Sequence, residues 1–102
     1  MIVRIDLQQG ETDGASYAVT AEHETLYDGA GFSSLVNALA AAVEGLGSEV
    51  HAAEIAFSEI VSGTYPLSTI AMRPNEVVQH AVNSAAAVAE AERSDQGLNR
   101  PA

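Results

Sequence analysis

Apolar and polar residues alternate at the start of the chain. Across residues 3–8 every second side chain is apolar and those between are charged or polar, which predicts a half-buried strand. A second alternation begins at Tyr17, and β-forming residues continue to Tyr27, predicting a longer strand bent near residues 22–24. The segment 10–15 contains Asp13-Gly14, a turn signal that predicts a hairpin between the two strands.

A glycine-rich segment, Asp28-Gly29-Ala30-Gly31, is expected to end the second strand and lead into a helix. Ser33 or Ser34 can cap that helix by accepting a hydrogen bond from a first-turn amide. Gly47 stands where a left-handed residue would end the helix. The apolar stripe that predicts the helix is Leu35, Leu39, Ala42, Val43 and Leu46.

The second half of the chain is harder to interpret. Residues 49–61 fit a helical stripe and one face of a strand; a strand is preferred because Ile, Phe and Val cluster toward the end. Ser62-Gly63 is interpreted as a turn into a fourth strand over residues 65–72, with Pro66 near its start. Pro74 then suits the first position of a last helix that ends near Ser94. Its predicted buried stripe is Val78, Ala81, Val82, Ala85 and Val88, and its predicted exposed face is Glu76, Gln79, Asn83, Glu90 and Arg93.

This order, β-β-α-β-β-α, predicts an α+β fold. Two β-β-α units would form one mainly antiparallel sheet covered by two helices. A length of 102 residues suits one domain, expected over residues 1–93, followed by a flexible C-terminal tail over residues 94–102.

The composition limits the core that this fold can build. Hydrophobic residues make up 47% of the chain, but alanine dominates them and aromatic residues contribute only 5%. Alanine buries little area, and burial stabilises by roughly 25 cal/mol per Å². A homo-oligomer is therefore expected, because a second copy would supplement a thin core.

Charge restricts the partners. The chain has four Arg, no Lys and fourteen acidic residues, for a net charge of −10. Nucleic acid and anionic membranes are bound by clustered cations, so neither is an expected partner. The acidity favours solubility or, alternatively, an acidic face for a basic protein partner. There is no cysteine, and the start of the chain lacks the apolar run of a signal peptide, so the predicted location is cytoplasmic.

The predicted loop before the first helix is the best candidate for a ligand site. Free amides and the dipole at a helix N-terminus favour a carboxylate or phosphate. The candidate contacts for a small carboxylate or amino acid are Gly29, Ala30, Gly31 and Ser33. A plain tight turn is the alternative. No dinucleotide fingerprint or P-loop lysine accompanies the glycines, so no cofactor is predicted.

Three histidines are the only bases that titrate near neutral pH: His23, His51 and His80. Glu76 and His80 lie four residues apart and could pair or share a metal, but a solvated helix pair is far commoner. No nucleophile signature occurs. We therefore predict no metal site and no catalytic residue, and an enzyme is the less favoured class.

The segment 28–31, followed by Leu-Val-Asn-Ala-Leu at residues 35–39, resembles the C-terminal regulatory domain of 2-isopropylmalate synthases. Residues 53–63 are similar to a later strand and glycine turn of that domain, and the helix from Pro74 is similar in position. Phe32 stands where the family has Pro. In the family these loops bind a feedback amino acid at a dimer interface, and the resemblance implies the same role here.

Two functional hypotheses follow. The first is a small non-catalytic regulatory or dimerisation module that binds a small carboxylate or amino acid at helix N-termini. The alternative is an acidic protein-binding module, such as an antitoxin or immunity protein.

Overall fold

The computed structural model of the protein describes residues 1–10 and 14–98, and for residues 94–98 it describes the backbone alone. The strands within these residues are β1 (Ile2–Gln9), β2 (Ala15–Ala21), β3 (Glu24–Phe32), β4 (Ala52–Phe57) and β5 (Ile60–Pro66). The helices are α1 (Leu35–Glu44), α2 (Leu67–Met72) and α3 (Pro74–Leu98).

The strands form one mixed sheet in the order β3-β2-β1-β4-β5. β1 and β4 are parallel, and the other neighbouring pairs are antiparallel. A parallel pair needs a long crossover, and here the chain between β3 and β4 contains α1. The predicted α+β class is confirmed. The architecture departs from two β-β-α units under two helices, because the first half holds three strands and the second holds two helices.

The core lies between one face of the sheet and the helices. Ile5, at the centre of β1, is fully buried and lies in register with Val19 of β2 and Ile55 of β4. Leu39 of α1, Ile70 of α2 and Val78 of α3 belong to the same cluster. The remaining buried members are Val3, Leu7, Ala15, Ala38, Ala42, Val50, Ala53, Val77 and Ala81. Alanine occurs throughout this cluster, as expected from the composition.

The predicted second strand is in fact a hairpin. Glu22 and His23 both have positive φ, 53° and 69°, and form the tight turn between β2 and β3. Paired left-handed residues are what a two-residue hairpin turn requires, but neither is a glycine or asparagine. Residues 28–31 lie inside β3, so the prediction that they end the strand is wrong.

The second half contains a similar turn. Ser58 and Glu59 have φ of 50° and 69° and join β4 to β5. The strand interpretation of residues 49–61 is confirmed for β4, but the turn predicted at Ser62-Gly63 is wrong, because both residues lie in β5. The predicted strand over residues 65–72 is also wrong: β5 ends at Pro66, and α2 follows and buries Ile70.

The helix ends match the predictions in part. The Ser34 side chain accepts a hydrogen bond from the Asn37 amide and caps α1, as expected for one of the two serines. Gly45, with φ of −81°, ends α1, so the predicted left-handed end at Gly47 is wrong. The end is held instead by the Tyr27 hydroxyl, which donates to the Ala42 carbonyl. Burial, and secondarily Tyr17, raise the pKa of Tyr27, which keeps this donor protonated.

α3 begins at Pro74 as predicted, and its backbone continues to Leu98, beyond the expected end near Ser94. Of the predicted buried stripe of α3, Val78 and Ala81 are buried, whereas Val82, Ala85 and Val88 are only half-buried. The predicted polar face is exposed. β1 and β2 pair as the hairpin that was predicted, with Gln9 opposite Ala15. The turn residues 11–13 and the last four positions of the predicted tail, 99–102, lie outside the described residues. No helix in the described parts of the chain is both long and apolar enough to cross a membrane.

Candidate functional site on the open face of the sheet

The face of the sheet opposite the helices, called the open face below, is polar. Its central strand contributes the even-numbered residues of β1 from Ile2 to Gln8. Arg4 lies in register between Thr20 of β2 and Glu54 of β4, and Asp6 lies next to Ala18 of β2. Charged side chains on the central strand are thus flanked by smaller ones, which leaves depressions in the surface.

Two hollows occupy the open face. The first has a volume of about 650 Å³, and its lining includes Ser16, Ala18 and Ala30 beside the carboxylates of Asp6, Asp28 and Glu59. The second has a volume of about 490 Å³ and is lined by Ile2, Thr20, Glu22, His23 and Glu54, among others. Arg4 and Asp6 line both hollows, so this pair forms the ridge between them.

Arg4 is held tightly on this ridge. Its Nε lies 3.0 Å from Oδ1 and 3.1 Å from Oδ2 of Asp6, and one of its terminal nitrogens lies 2.9 Å from Oδ1. The other terminal nitrogen lies 3.6 Å from the Glu54 carboxylate. The hydrogen bond to Asp6 raises the pKa of Arg4 against the opposing effect of burial, and the nearby charges of Asp6, Glu54 and Glu59 raise it further. Arg4 therefore stays a cation fixed at the centre of the open face.

The two hollows are nevertheless strongly acidic. Their combined lining has one guanidinium, Arg4, against five carboxylates: Asp6, Glu22, Asp28, Glu54 and Glu59. Among the described residues, Asp28 and Glu59 have no ion-pair partner. Arg4 neutralises Asp6 and part of Glu54, so the surplus negative charge lies on either side of the ridge.

Both left-handed turns border this surface. Glu22 and His23 line the second hollow, and Glu59 lines the first. A left-handed backbone costs an ordinary residue about 1–2 kcal/mol, and glycine or asparagine would relieve the cost. Charged side chains stand instead at Glu22 and Glu59. Strained positions of this kind concentrate at functional sites.

The four predicted ligand contacts do not meet at a helix N-terminus. Gly29, Ala30 and Gly31 lie in β3, and Gly29 and Ala30 line the first hollow, which neither Gly31 nor Ser33 lines. Ser33 Oγ accepts a hydrogen bond of 2.6 Å from Asn37 Nδ2. The glycine segment is therefore a strand and not the loop that was predicted, and ligand binding by these four residues stays a prediction.

The glycines of β3 have structural explanations. A Cβ on Gly29 would lie 2.7 Å from Cε2 and 3.0 Å from Cζ of Tyr17, so the aromatic ring needs a glycine there. Gly31 has φ of 82° and open space around it, so it is required by its backbone conformation.

The three histidines are spread over the fold. His23 lies in the β2–β3 turn, His51 precedes β4, and His80 is exposed on α3. Glu76, considered as a partner of His80, lies 3.6 Å from Arg73 instead. Within the described part of the chain, no three potential metal-ligating side chains come together.

Sequence reasoning recognised the even positions of β1 as a wet face but did not identify them as a site. The signal was the presence of two opposite charges, Arg4 and Asp6, at alternate positions of one strand. These two charges could be recognised as part of a site only once the strands beside β1 were known. The pairing of β1 with β4 could not be inferred from the local sequence pattern.

Comparison with models of protein families yields no matching family, and neither curated proteins nor solved structures match the chain.

Proposed function

We propose that this protein is a small non-catalytic binding module whose open face takes a basic segment of a partner protein. The observation that carries the proposal is the lining of the two hollows, in which five carboxylates stand against one guanidinium. Complementary charge steers association and fixes the register of a complex. No helix of the described part of the chain covers the open face, so a basic segment has room to bind there.

The charge of the hollows favours a cation over the small carboxylate expected from the sequence. A carboxylate in the first hollow would face Asp28 and Glu59, neither of which has an ion-pair partner among the described residues. Two like charges about 4 Å apart repel by about 1 kcal/mol in water and by about 4 kcal/mol near a protein surface. The Arg4 guanidinium offsets only part of this repulsion, because it already forms hydrogen bonds and an ion pair with Asp6.

The same charges argue against a second copy bound face to face. Each open face has a surplus of carboxylates, so two of them pressed together would place like charges opposite one another in a desolvated interface. A segment that bears lysine or arginine would instead place opposite charges against these carboxylates. This favours the acidic protein-binding hypothesis for the open face.

Binding to a basic probe tests the proposal. We expect a fluorescein-labelled peptide of lysines and serines to bind in an anisotropy titration and to bind more weakly as salt increases. The double variant Asp28→Asn, Glu59→Gln should lower the affinity about tenfold, since two charges that face the probe are lost.

The matched control is Glu90→Gln, Glu92→Gln, which changes the net charge equally on exposed positions of α3. This control should bind the peptide nearly as well as the wild type. Equal weakening in the two double variants would reduce the binding to nonspecific attraction by net charge, and an absence of binding would refute the proposal outright.

Dimerisation is the second candidate, and the helix side of the molecule favours it. Met72 is 80% exposed at the end of α2. The neighbouring residues Ala71 and Pro74 line a mainly apolar hollow of about 210 Å³, whose other lining residues are Leu39, Ala40, Val43, Ile70 and one carboxylate, Glu44. An exposed methionine beside an apolar hollow suits an adaptable contact with another copy. A regulatory role, as implied by the resemblance to the synthase domain, belongs with this candidate.

We expect light scattering at micromolar concentration to give the mass of a dimer. Met72→Lys should shift the mass to that of a monomer, because a charge would have to be buried at the contact. Gln79→Lys, with the same charge change on exposed α3, should remain dimeric. A wild-type protein of monomer mass would eliminate this candidate without affecting the open face.

A further inference from the structure

We infer that two copies of this protein pair in antiparallel orientation through the outer edge of β5, so that their two five-stranded sheets become continuous. The inference rests on the second candidate of the proposed function, dimerisation, and names the surface at which the copies meet. β3 and β5 are the edge strands of the sheet, so each has one side without a neighbouring strand. The backbone amides and carbonyls on such a side can bind a further strand.

Charge distinguishes the two edges. β3 contains Glu24 and Asp28, whereas β5 contains no charged residue. Charged side chains on an edge strand oppose its pairing with a copy of itself, because a two-fold axis places like charges near one another. β3 also has two register shifts against its neighbour and β5 has one, and such bulges hinder pairing at an edge. In a chain with a net charge of −10, β5 is therefore the edge at which two copies approach with less repulsion.

The side chains and backbone of β5 suit a strand that pairs on both sides. Ile60, Val61, Thr64 and Tyr65 are β-branched or aromatic, as is typical of strands, and Val61 is 44% exposed. Among the described residues, the backbone of residues 60–65 pairs with β4 alone. Pro66 has no N–H and is the last residue of β5, so the pairing is confined to the residues before it.

The helix above this edge leaves room for a second copy. α3 packs on β4 and β5, and its residues 81–89 carry no charged side chain. Neighbouring strands lie about 4.8 Å apart, so helices over the β4–β5 pairs of two joined sheets would lie about 10 Å apart. Packed helices are separated by about 8–10 Å. Contact between the two α3 helices would therefore add buried surface that strand pairing alone does not supply.

A matched pair of threonine variants tests the inference. Thr64 of β5 and Thr25 of β3 are both exposed, so Thr64→Glu and Thr25→Glu make the same change on opposite edges. In light scattering at micromolar concentration, the wild type and Thr25→Glu should have the mass of a dimer. Thr64→Glu should have the mass of a monomer, because it places carboxylates of the two copies near one another across the axis. Loss of the dimer in both variants would contradict the role of β5, since added charge at either edge would then have the same effect.

Hydrogen exchange followed by mass spectrometry locates the contact in the wild-type protein, without any variant. Exchange in a peptide covering residues 60–66 should slow as the protein concentration is raised, because pairing protects the outer amides of β5. A peptide covering residues 24–32 should exchange at the same rate throughout. A dimer that persists in Thr64→Glu, or whose formation leaves exchange in β5 unchanged, would overturn pairing through β5 and leave dimerisation standing. A wild type of monomer mass would overturn both.

Discussion

Replacing Ile5 by alanine is expected to lower the free energy of unfolding by about 3–4 kcal/mol, within the range for a fully buried isoleucine. Ile5 has no exposed surface and lies in register with two other buried residues, Val19 and Ile55. The sheet on both sides of it limits collapse into the cavity. The free energy of unfolding of a domain of this size is about 5–15 kcal/mol in total, so the variant would lose a large fraction of its stability.

The same strand provides the control. Ile2 is 61% exposed and begins β1, so Ile2→Ala should cost less than about 0.5 kcal/mol. Urea unfolding followed by circular dichroism would give both values, with unchanged slopes indicating that only stability changed. Similar costs at the two positions would mean that the core does not lie on the odd-numbered side of β1.

The elements with strong periodicity could be predicted from the sequence. The alternation over residues 3–8 specifies β1 and the face that it buries, because a strand turns successive side chains to opposite sides. Ser34 and Pro74 mark the beginnings of α1 and α3 through capping and a fixed φ. These signals are local, so they did not require knowledge of the fold.

The β2–β3 and β4–β5 turns could not be predicted because neither Glu22-His23 nor Ser58-Glu59 contains the glycine or asparagine that usually occupies positive φ. The alternation of β2 runs directly into Glu22-His23, and the following β3 has the same period, so the pattern is that of one strand. Ser58-Glu59 likewise cannot be told from the strand sequences on either side of it. Ser62-Gly63, by contrast, has the residues of a turn but lies in β5. Strand pairing compensates for the unfavourable φ at these positions, and pairing between β4 and β5 is a tertiary property.

The candidate site also depends on tertiary structure that the local sequence pattern does not reveal. Gly29-Ala30-Gly31 was interpreted as a loop because glycine commonly interrupts strands. Here one glycine admits the Tyr17 ring and another provides a positive φ within β3. The acidic surface, by contrast, arises from residues of β1 to β4 and of two turns, and only the sheet order brings them together.

The structural role of Gly29 predicts that Gly29→Val destabilises the protein by about 2–3 kcal/mol, as is typical of overpacking. Even a Cβ at this position would approach the Tyr17 ring to 2.7 Å. That ring cannot simply swing away, because it packs against Tyr27 and Phe32 with centroid distances of 6.0 Å and 5.6 Å. Gly31→Ala, where nothing lies within 4 Å, should cost only the strain of its φ of 82°, about 1 kcal/mol.

A double-mutant cycle separates the clash from any other effect of the valine. In a Tyr17→Leu background the ring is absent, so adding Gly29→Val should cost at least about 1 kcal/mol less than it does in the wild type. Urea unfolding of the four proteins gives the coupling. Additive costs would mean that Tyr17 does not require the glycine, and Gly29 would then have to be explained by what binds in the first hollow. A strong coupling would instead assign Gly29 to packing, leaving Asp28 and Glu59 as the residues of that hollow that face a partner.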